Sequence, residues 1–247
     1  MLSRNFKLQR VGDYEWLAKN YKFSSIAFSI DELVIIDVSR ENRNLSHFIE
    51  MIRNITNDCF VPITAGGGIN NLDDASLLLK SGADKVLLNS LLYKNPQEAT
   101  AVANKFGNQS IVASVDLKKE DNEYKVLISN GSEDINIPAK DWLENLSRMN
   151  IGEVYLNSIN QDGTAQGLDL GMLDLLNKNF SVPLILAGGA GHHNHLFEAL
   201  SDSRVDAVST AHLFNFVGDG LKKCREGLIT KGMSLARWED LGSLDLR

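Results

Sequence analysis

Cysteine is scarce in this sequence: Cys59 and Cys224 are the only two in 247 residues. Two thiols cannot build the disulfide framework of a small secreted scaffold, and Cys59 falls just before a strand-like apolar run, so a reducing, cytoplasmic setting is expected and neither thiol is placed for catalysis. Long apolar runs are missing too. Runs such as 33–36 and 184–187 are strand-sized, well short of the roughly 20 residues that span a bilayer. Residues 1–10 lack the apolar centre of a signal peptide, so no membrane partner is expected. There is no basic excess: 25 Lys and Arg stand against 32 Asp and Glu, a net charge of −7. That balance argues against nucleic acid as a partner while leaving local phosphate sites open. Nucleophilic triads, Walker loops and dinucleotide fingerprints are absent, since the glycines at 66–68 lack the required spacing. His192, His193 and His195 lie close in sequence but have no complementary cysteine or acidic set, so no metal site is expected.

What is present is an ordinary globular balance, 43% hydrophobic and 23% charged, enough to bury a sizeable core. The length suits one α/β barrel domain better than two small domains. Apolar runs at 33–38, 61–65, 85–89, 111–115, 154–157, 184–187 and 207–210 read as buried parallel strands. Helical patterns lie between them at 72–81, 96–106, 142–149 and 170–177. The chain is also written twice. VPITAGGGI at 61–69 matches VPLILAGGAG at 182–191, with Gly66 and Gly188 122 residues apart. The match continues at that offset from ADKV (83–86) to VDAV (205–208), and Glu32 pairs with Glu153 at an offset of 121. A fused half-barrel duplication accounts for this. It also exposes a gap, because the first-half counterpart of the run at 111–115 falls before Met1. The expectation is a (β/α)8 barrel with seven visible strands and an omitted or misassigned start. Residues 5–11 then belong to the loop after the missing strand, and Gly12 and Asp13 lead into a helix at 14–20.

In such a barrel the active site lies at the C-terminal strand ends. Gly66, Gly67 and Gly68, like Gly188 and Gly189, end a strand and open a helix, where backbone N–H groups can approach an anion. One such loop is as readily a plain βα turn. Two loops matched by the repeat, with Asn89 and Ser90 at a third strand end, point to two phosphates and a bis-phosphorylated substrate. Asp116 ends VASVD and is the leading general acid or base; the bland alternative is a turn cap, or a pair with Lys118 or Lys119. Asp37 competes for the role, and Asp162 lies in QDGT, where Asp-Gly is also ordinary turn chemistry. Glu32, Lys85 and Glu153 mark the opposite ends of three strands. As surface ion pairs they would contribute little; converging on the barrel axis, they would form a charged ring able to gate a small neutral molecule.

DELVIIDVS, VPITAGGGINNLDDASLLLKSGADKVLLNS, FGNQSIVASVD, the NQDGT turn, VPLILAGGAG and AVSTAHLFNF follow one another over about residues 12–216. Together they resemble the cyclase subunit of imidazole glycerol phosphate synthase. The resemblance implies a (β/α)8 barrel without a cofactor. It also implies a partner glutaminase at the barrel bottom, supplying ammonia through the barrel. The reaction it implies turns a phosphoribulosyl-formimino aminoimidazole carboxamide nucleotide into imidazole glycerol phosphate and an aminoimidazole carboxamide ribonucleotide. Of the family's two catalytic aspartates, one carries over onto Asp116 and the other belongs to the strand not seen here. Phosphate contacts carry over onto Gly68, Asn89 and Ser90 on one side. On the other they carry over onto Gly163, Thr164, Gly189, Ala211 and His212, with Asp162 beside them. Glu32, Lys85 and Glu153 match the ammonia gate, whose fourth member is an arginine on the first strand.

The sequence departs from that pattern at several points. His212 stands for a small hydroxyl residue, Asn160 for an acidic one, Leu168 precedes Asp169 in place of an aromatic, and residues 129–132 lack a His-Gly-Gly pattern. These departures open a second reading, a paralogous ammonia-channelling barrel that serves another acceptor, for instance in surface-sugar amidination. A third, the sugar isomerase of the same pathway, would have no use for the charged ring.

Overall fold

Parallel strands covered on both faces need apolar side chains in both directions, and the apolar runs of this chain meet that demand. The computed structural model describes residues 2–10, 13–21, 23–213 and 219–237; Val11, Gly12 and residues 214–216 of the last motif lie outside them. Strands β1 (Leu2–Arg4) and β2 (Lys7–Gln9) form a short antiparallel hairpin. After α1 (Tyr14–Tyr21) and α2 (Phe23–Ile26) comes the repeated pattern. It runs β3 (Leu33–Ile36), α3 (Leu45–Asp58), β4 (Ile63–Gly66), α4 (Leu72–Leu79), β5 (Lys85–Leu88), α5 (Ser90–Lys94) and α6 (Pro96–Phe106). It continues through β6 (Ile111–Glu120), β7 (Glu123–Ile128), β8 (Glu133–Asp134), α7 (Ala139–Ser147), β9 (Glu153–Ser158), β10 (Leu184–Ala187), α8 (His193–Leu200), β11 (Ala207–Val208) and α9 (Gly220–Thr230). The segment read as a helix at 170–177 is a 3-10 helix over Leu170–Leu175.

Seven strands pair in parallel in the order β3, β4, β5, β6, β9, β10, β11, and the sheet curls in the manner of a (β/α)8 barrel. Among the described residues β3 and β11 are its edges. The helical layer nonetheless bridges the two edges, because α9 packs on the 3-10 turn Ala27–Ser29 that leads to β3. Arg225 of α9 is buried there, donating to both carboxylate oxygens of Asp31 at 2.8 Å and to the carbonyl of Ala236 at 2.7 and 3.0 Å. A charge this far from water is tolerated because its donors are matched.

The halves share bonds as well as letters. Asp84 accepts from the backbone N–H of Ile63 at 2.8 Å, and Asp206 accepts from that of Leu184 at 2.8 Å. Each aspartate thus pins the neighbouring strand's first residue at the bottom of the barrel. The outer helices cover the sheet with one apolar face. In α3 this face is Phe48, Ile49, Ile52 and Ile55, at helical spacing behind an Asn44 cap. In α7 it is Ala139, Trp142, Leu143 and Leu146.

Two differences from the sequence reading have local causes. The hairpin β1–β2 occupies what reads as loop, turning through Asn5 and Phe6, both at positive φ. Strand β6 does not stop at Asp116 but runs on to Glu120, turns through Asp121 and Asn122 at φ of 49° and 65°, and returns as β7. Paired positive φ values suit the right-handed twist of a tight hairpin.

Candidate active site

The chemistry-bearing side chains gather where the strands end. On β6, Asp116 points among neighbours that hold both of its oxygens. Asn89, following β5, donates its amide to Oδ2 at 2.9 Å, and Asn157 of β9 donates to Oδ1 at 3.0 Å. It is therefore neither a turn cap nor a partner of Lys118 or Lys119. Lys118 pairs instead with Glu120 at 2.6 Å, and the Lys119 ammonium lies 5.1 Å from the centre of the Tyr124 ring. Burial raises the Asp116 carboxyl to about 6, partly offset by the Asn157 hydrogen bond and reinforced by nearby Asp162. A carboxyl tuned there can exchange a proton near neutral pH. Asn89 Oδ1 is buried without a protein partner among the described residues, leaving an acceptor beside Asp116. Tyr155, two residues before Asn157 on β9, is pushed up to about 12 by burial and donates to Ser209 at 3.1 Å, so it stays a neutral wall.

The two glycine loops flank this carboxyl. Gly67 (φ 98°) and Gly189 (φ 99°) are related by the repeat, and neither can carry a side chain. A Cβ would meet the Asp37 carbonyl oxygen at 2.2 Å in the first loop and the Gly167 carbonyl oxygen at 2.1 Å in the second. Each glycine loop is thus pressed onto the loop of the preceding sheet strand. Ser90, at the start of α5, accepts from the N–H of Ser129 at 3.0 Å and keeps its hydroxyl hydrogen to donate. Gly163 and Thr164 follow Asp162 in the loop after β9. Thr164 donates to the Gln161 carbonyl at 2.8 Å. Exposed Ala211 and half-buried His212 lie beyond β11.

Asp162 is committed elsewhere. Its carboxylate accepts from the Ser3 hydroxyl at 2.5 Å and the Phe6 N–H at 3.1 Å, and its carbonyl accepts from Asn5 at 2.9 Å. It holds the β1–β2 hairpin against the C-terminal end of the sheet, where Arg40 also donates to the Phe6 carbonyl at 2.9 Å. Asp37 accepts from Ser39 N–H at 2.9 Å and faces Arg43 at 3.5 Å. Asn160 has a reason not to be acidic: it accepts from the Lys119 N–H at 2.7 Å and donates to the Lys119 carbonyl at 3.1 Å. A carboxylate could not make the second bond.

At the opposite end of the sheet, Lys85 donates to Glu32 at 2.8 Å and to Glu153 at 2.6 Å, and Thr64 donates to Glu32. All three charged side chains are about four-fifths shielded from solvent. The two carboxylates raise the Lys85 ammonium against the opposing effect of burial. Glu153 Oε2 is buried without a partner among the described residues. The histidines sort differently. His192 caps α8 through Asn194 N–H and His195 accepts from Gly191 N–H, both at 3.3 Å, and no cluster able to hold a metal occurs among the described residues.

Residues 5–218 match the family described as histidine biosynthesis protein. The chain belongs to this family. It is 45% identical over 98% of its length to a Parasynechococcus marenigrum (strain WH8102) protein with the provisional name imidazole glycerol phosphate synthase subunit hisF2, covering 90% of that protein. It is 36% identical to the imidazole glycerol phosphate synthase subunit HisF of Exiguobacterium sp., over 85% of this chain and 80% of that one. To the same subunit of Streptococcus sanguinis it is 33% identical, over 92% and 89%. The chain is thus a HisF-like subunit of the synthase type. Neither Asn157 nor Arg43 belongs to a motif in the sequence. Asn157 sits at the end of an apolar run, as Asp116 does, and that position was the available signal. No helix among the described residues is long and apolar enough to cross a membrane.

Proposed function

We propose that the protein is the ammonia-dependent cyclase subunit of an imidazole glycerol phosphate synthase, acting on the bis-phosphorylated aminoimidazole carboxamide nucleotide. The observation that carries this reading is Asp116, raised to about 6 and clamped by two amides between two repeat-related glycine loops. In this reading the loops hold the two phosphates through Gly68, Asn89 and Ser90 at one end and through Gly163, Thr164, Gly189, Ala211 and His212 at the other. Backbone N–H groups and Ser90 supply the donors. Asp116 moves one of the protons that ammonia addition and ring closure require, as one of the pair of acid and base groups. The Lys85, Glu32 and Glu153 cluster stands where ammonia from a docked glutaminase would enter. Passage inside the protein keeps ammonia from protonation by water.

The test is turnover of that nucleotide with an ammonium salt and no glutaminase. Turnover that disappears in Asp116→Asn supports the reading. A folded, inert wild-type chain turns attention to the second reading, a barrel that channels ammonia to another acceptor. That alternative is favoured by the contrast between the retained Lys85, Glu32 and Glu153 and an altered mouth, where Asn160 is tied to the backbone and His212 replaces a small hydroxyl residue.

A further inference from the structure

The proposed phosphate sites draw on unequal numbers of loops. The second-half site uses three: Gly163 and Thr164 after β9, Gly189 after β10, and Ala211 and His212 after β11. The first-half site uses two, Gly68 after β4 and Asn89 with Ser90 after β5. The repeat requires a third contributor from the loop after β3. The offset of 121 that relates Glu32 to Glu153 relates Arg43, in that loop, to Thr164.

Arg43 is where the repeat predicts. Its side chain lies across Gly68, with Cδ 2.3 Å and Nη1 2.4 Å from the point a Gly68 Cβ would occupy. Nη2 donates to the Ser39 carbonyl at 2.7 Å, which anchors the guanidinium to its own loop. Nε faces Asp37 at a loose 3.5 Å, and Nη1 has no hydrogen-bond partner among the described residues. The side chain is 31% exposed, so it can be reached by a ligand without leaving its seat. Two phosphate monoesters bring about three to four negative charges at neutral pH, towards an end of the sheet that already holds Asp37, Asp116 and Asp162. Backbone N–H groups offset only part of that repulsion, whereas a guanidinium fork matches a phosphate in both charge and geometry.

We propose that Arg43 is the cationic ligand of the first-half phosphate site, binding a phosphate monoester together with the Gly68 backbone and Ser90. The proposal rests on the two-phosphate reading above. It adds an asymmetry: the first-half end of the substrate is held by a permanent charge that the loop donors around Thr164 do not supply, and so the first end is the more salt-sensitive.

The experiment is a titration of the full chain with inorganic phosphate, followed residue by residue in 1H–15N correlation spectra. In the wild type, the Gly67, Gly68 and Ser90 signals and the Gly163, Thr164 and Gly189 signals all move. In Arg43→Gln the first group should need about tenfold more phosphate or more, matching the loss of charge-assisted hydrogen bonds, while the second group keeps its midpoint. Arg43→Lys, which keeps the charge without the fork, should fall between. An unchanged first-group midpoint in Arg43→Gln overturns the proposal, as does an equal weakening of both groups. If neither group moves in the wild type, the two-phosphate reading falls and the role of Arg43 falls with it.

Discussion

Two clusters of carboxylates sit at opposite ends of the same strands and are held in opposite ways. At the C-terminal end, Asp116 receives two neutral amide N–H groups and, among the described residues, no cation, and its carboxyl is raised to about 6. At the N-terminal end, Glu32 and Glu153 share the ammonium of Lys85, which is itself raised. Amides orient a carboxylate without neutralising it, so burial sets its proton affinity. An ammonium set between two carboxylates offsets one of their two charges, and they in turn hold its own proton. One end of the barrel is therefore built to exchange a proton, the other to keep its charges in place.

The largest expected effect breaks the first arm of this comparison. Asp116→Asn keeps an acceptor for the amides but removes the titrating group. Ammonium-dependent turnover should fall by about a thousandfold, within the range of a lost general acid or base. Retained turnover in a steady-state assay would remove Asp116 from the chemistry. The next breaks the second arm. Lys85→Met strands two shielded carboxylates beside each other and should cost about 3 kcal/mol in urea unfolding. A change within error would make the cluster an ordinary screened pair. In the proposed function the same variant should impair glutamine-coupled turnover more than turnover with added ammonium.

A smaller effect compares the two glycine loops. Gly67→Ala and Gly189→Ala each place a methyl about 2 Å from a carbonyl oxygen at positive φ. Each should lose about 2 kcal/mol and weaken phosphate binding at its own loop, as read by calorimetry with inorganic phosphate. The smallest effect concerns stability and pH. A carboxyl raised in the folded state disfavours folding once it must ionise, so the wild type loses stability as pH climbs from about 4 to about 6. Asp116→Asn escapes that loss. It should equal the wild type below pH 4 and exceed it above pH 6, where the wild-type carboxylate is ionised in a buried site. Denaturant curves at pH 4 and pH 7 measure the difference.

Much of this arrangement is legible in the sequence because the repeat carries information twice. The bottom aspartates Asp84 and Asp206 and the paired glycines follow from an offset of 122, and the Glu32 to Glu153 relation from one of 121. What escaped lies where the halves differ. The β6–β7 finger lies outside the matched segments, although Asp121 and Asn122 between alternating residues are a hairpin signal. Asp162 reads as turn chemistry because its partner, the β1–β2 hairpin, lies 159 residues away at Ser3. Asn157 reads as the end of an apolar run, and only the pairing of β6 with β9 brings it to Asp116. Arg43 reads as a loop charge until the glycine beneath it is seen. Contacts of this kind depend on strand order, which residue patterns constrain but do not specify.

The most direct test of the contrast between the two ends is a titration of the Asp116 side-chain carboxyl by 13C NMR, assigned by comparison with Asp116→Asn. The expected midpoint is about 6. A midpoint near 4 or below would contradict it, leaving Asp116 without the proton affinity its proposed role requires.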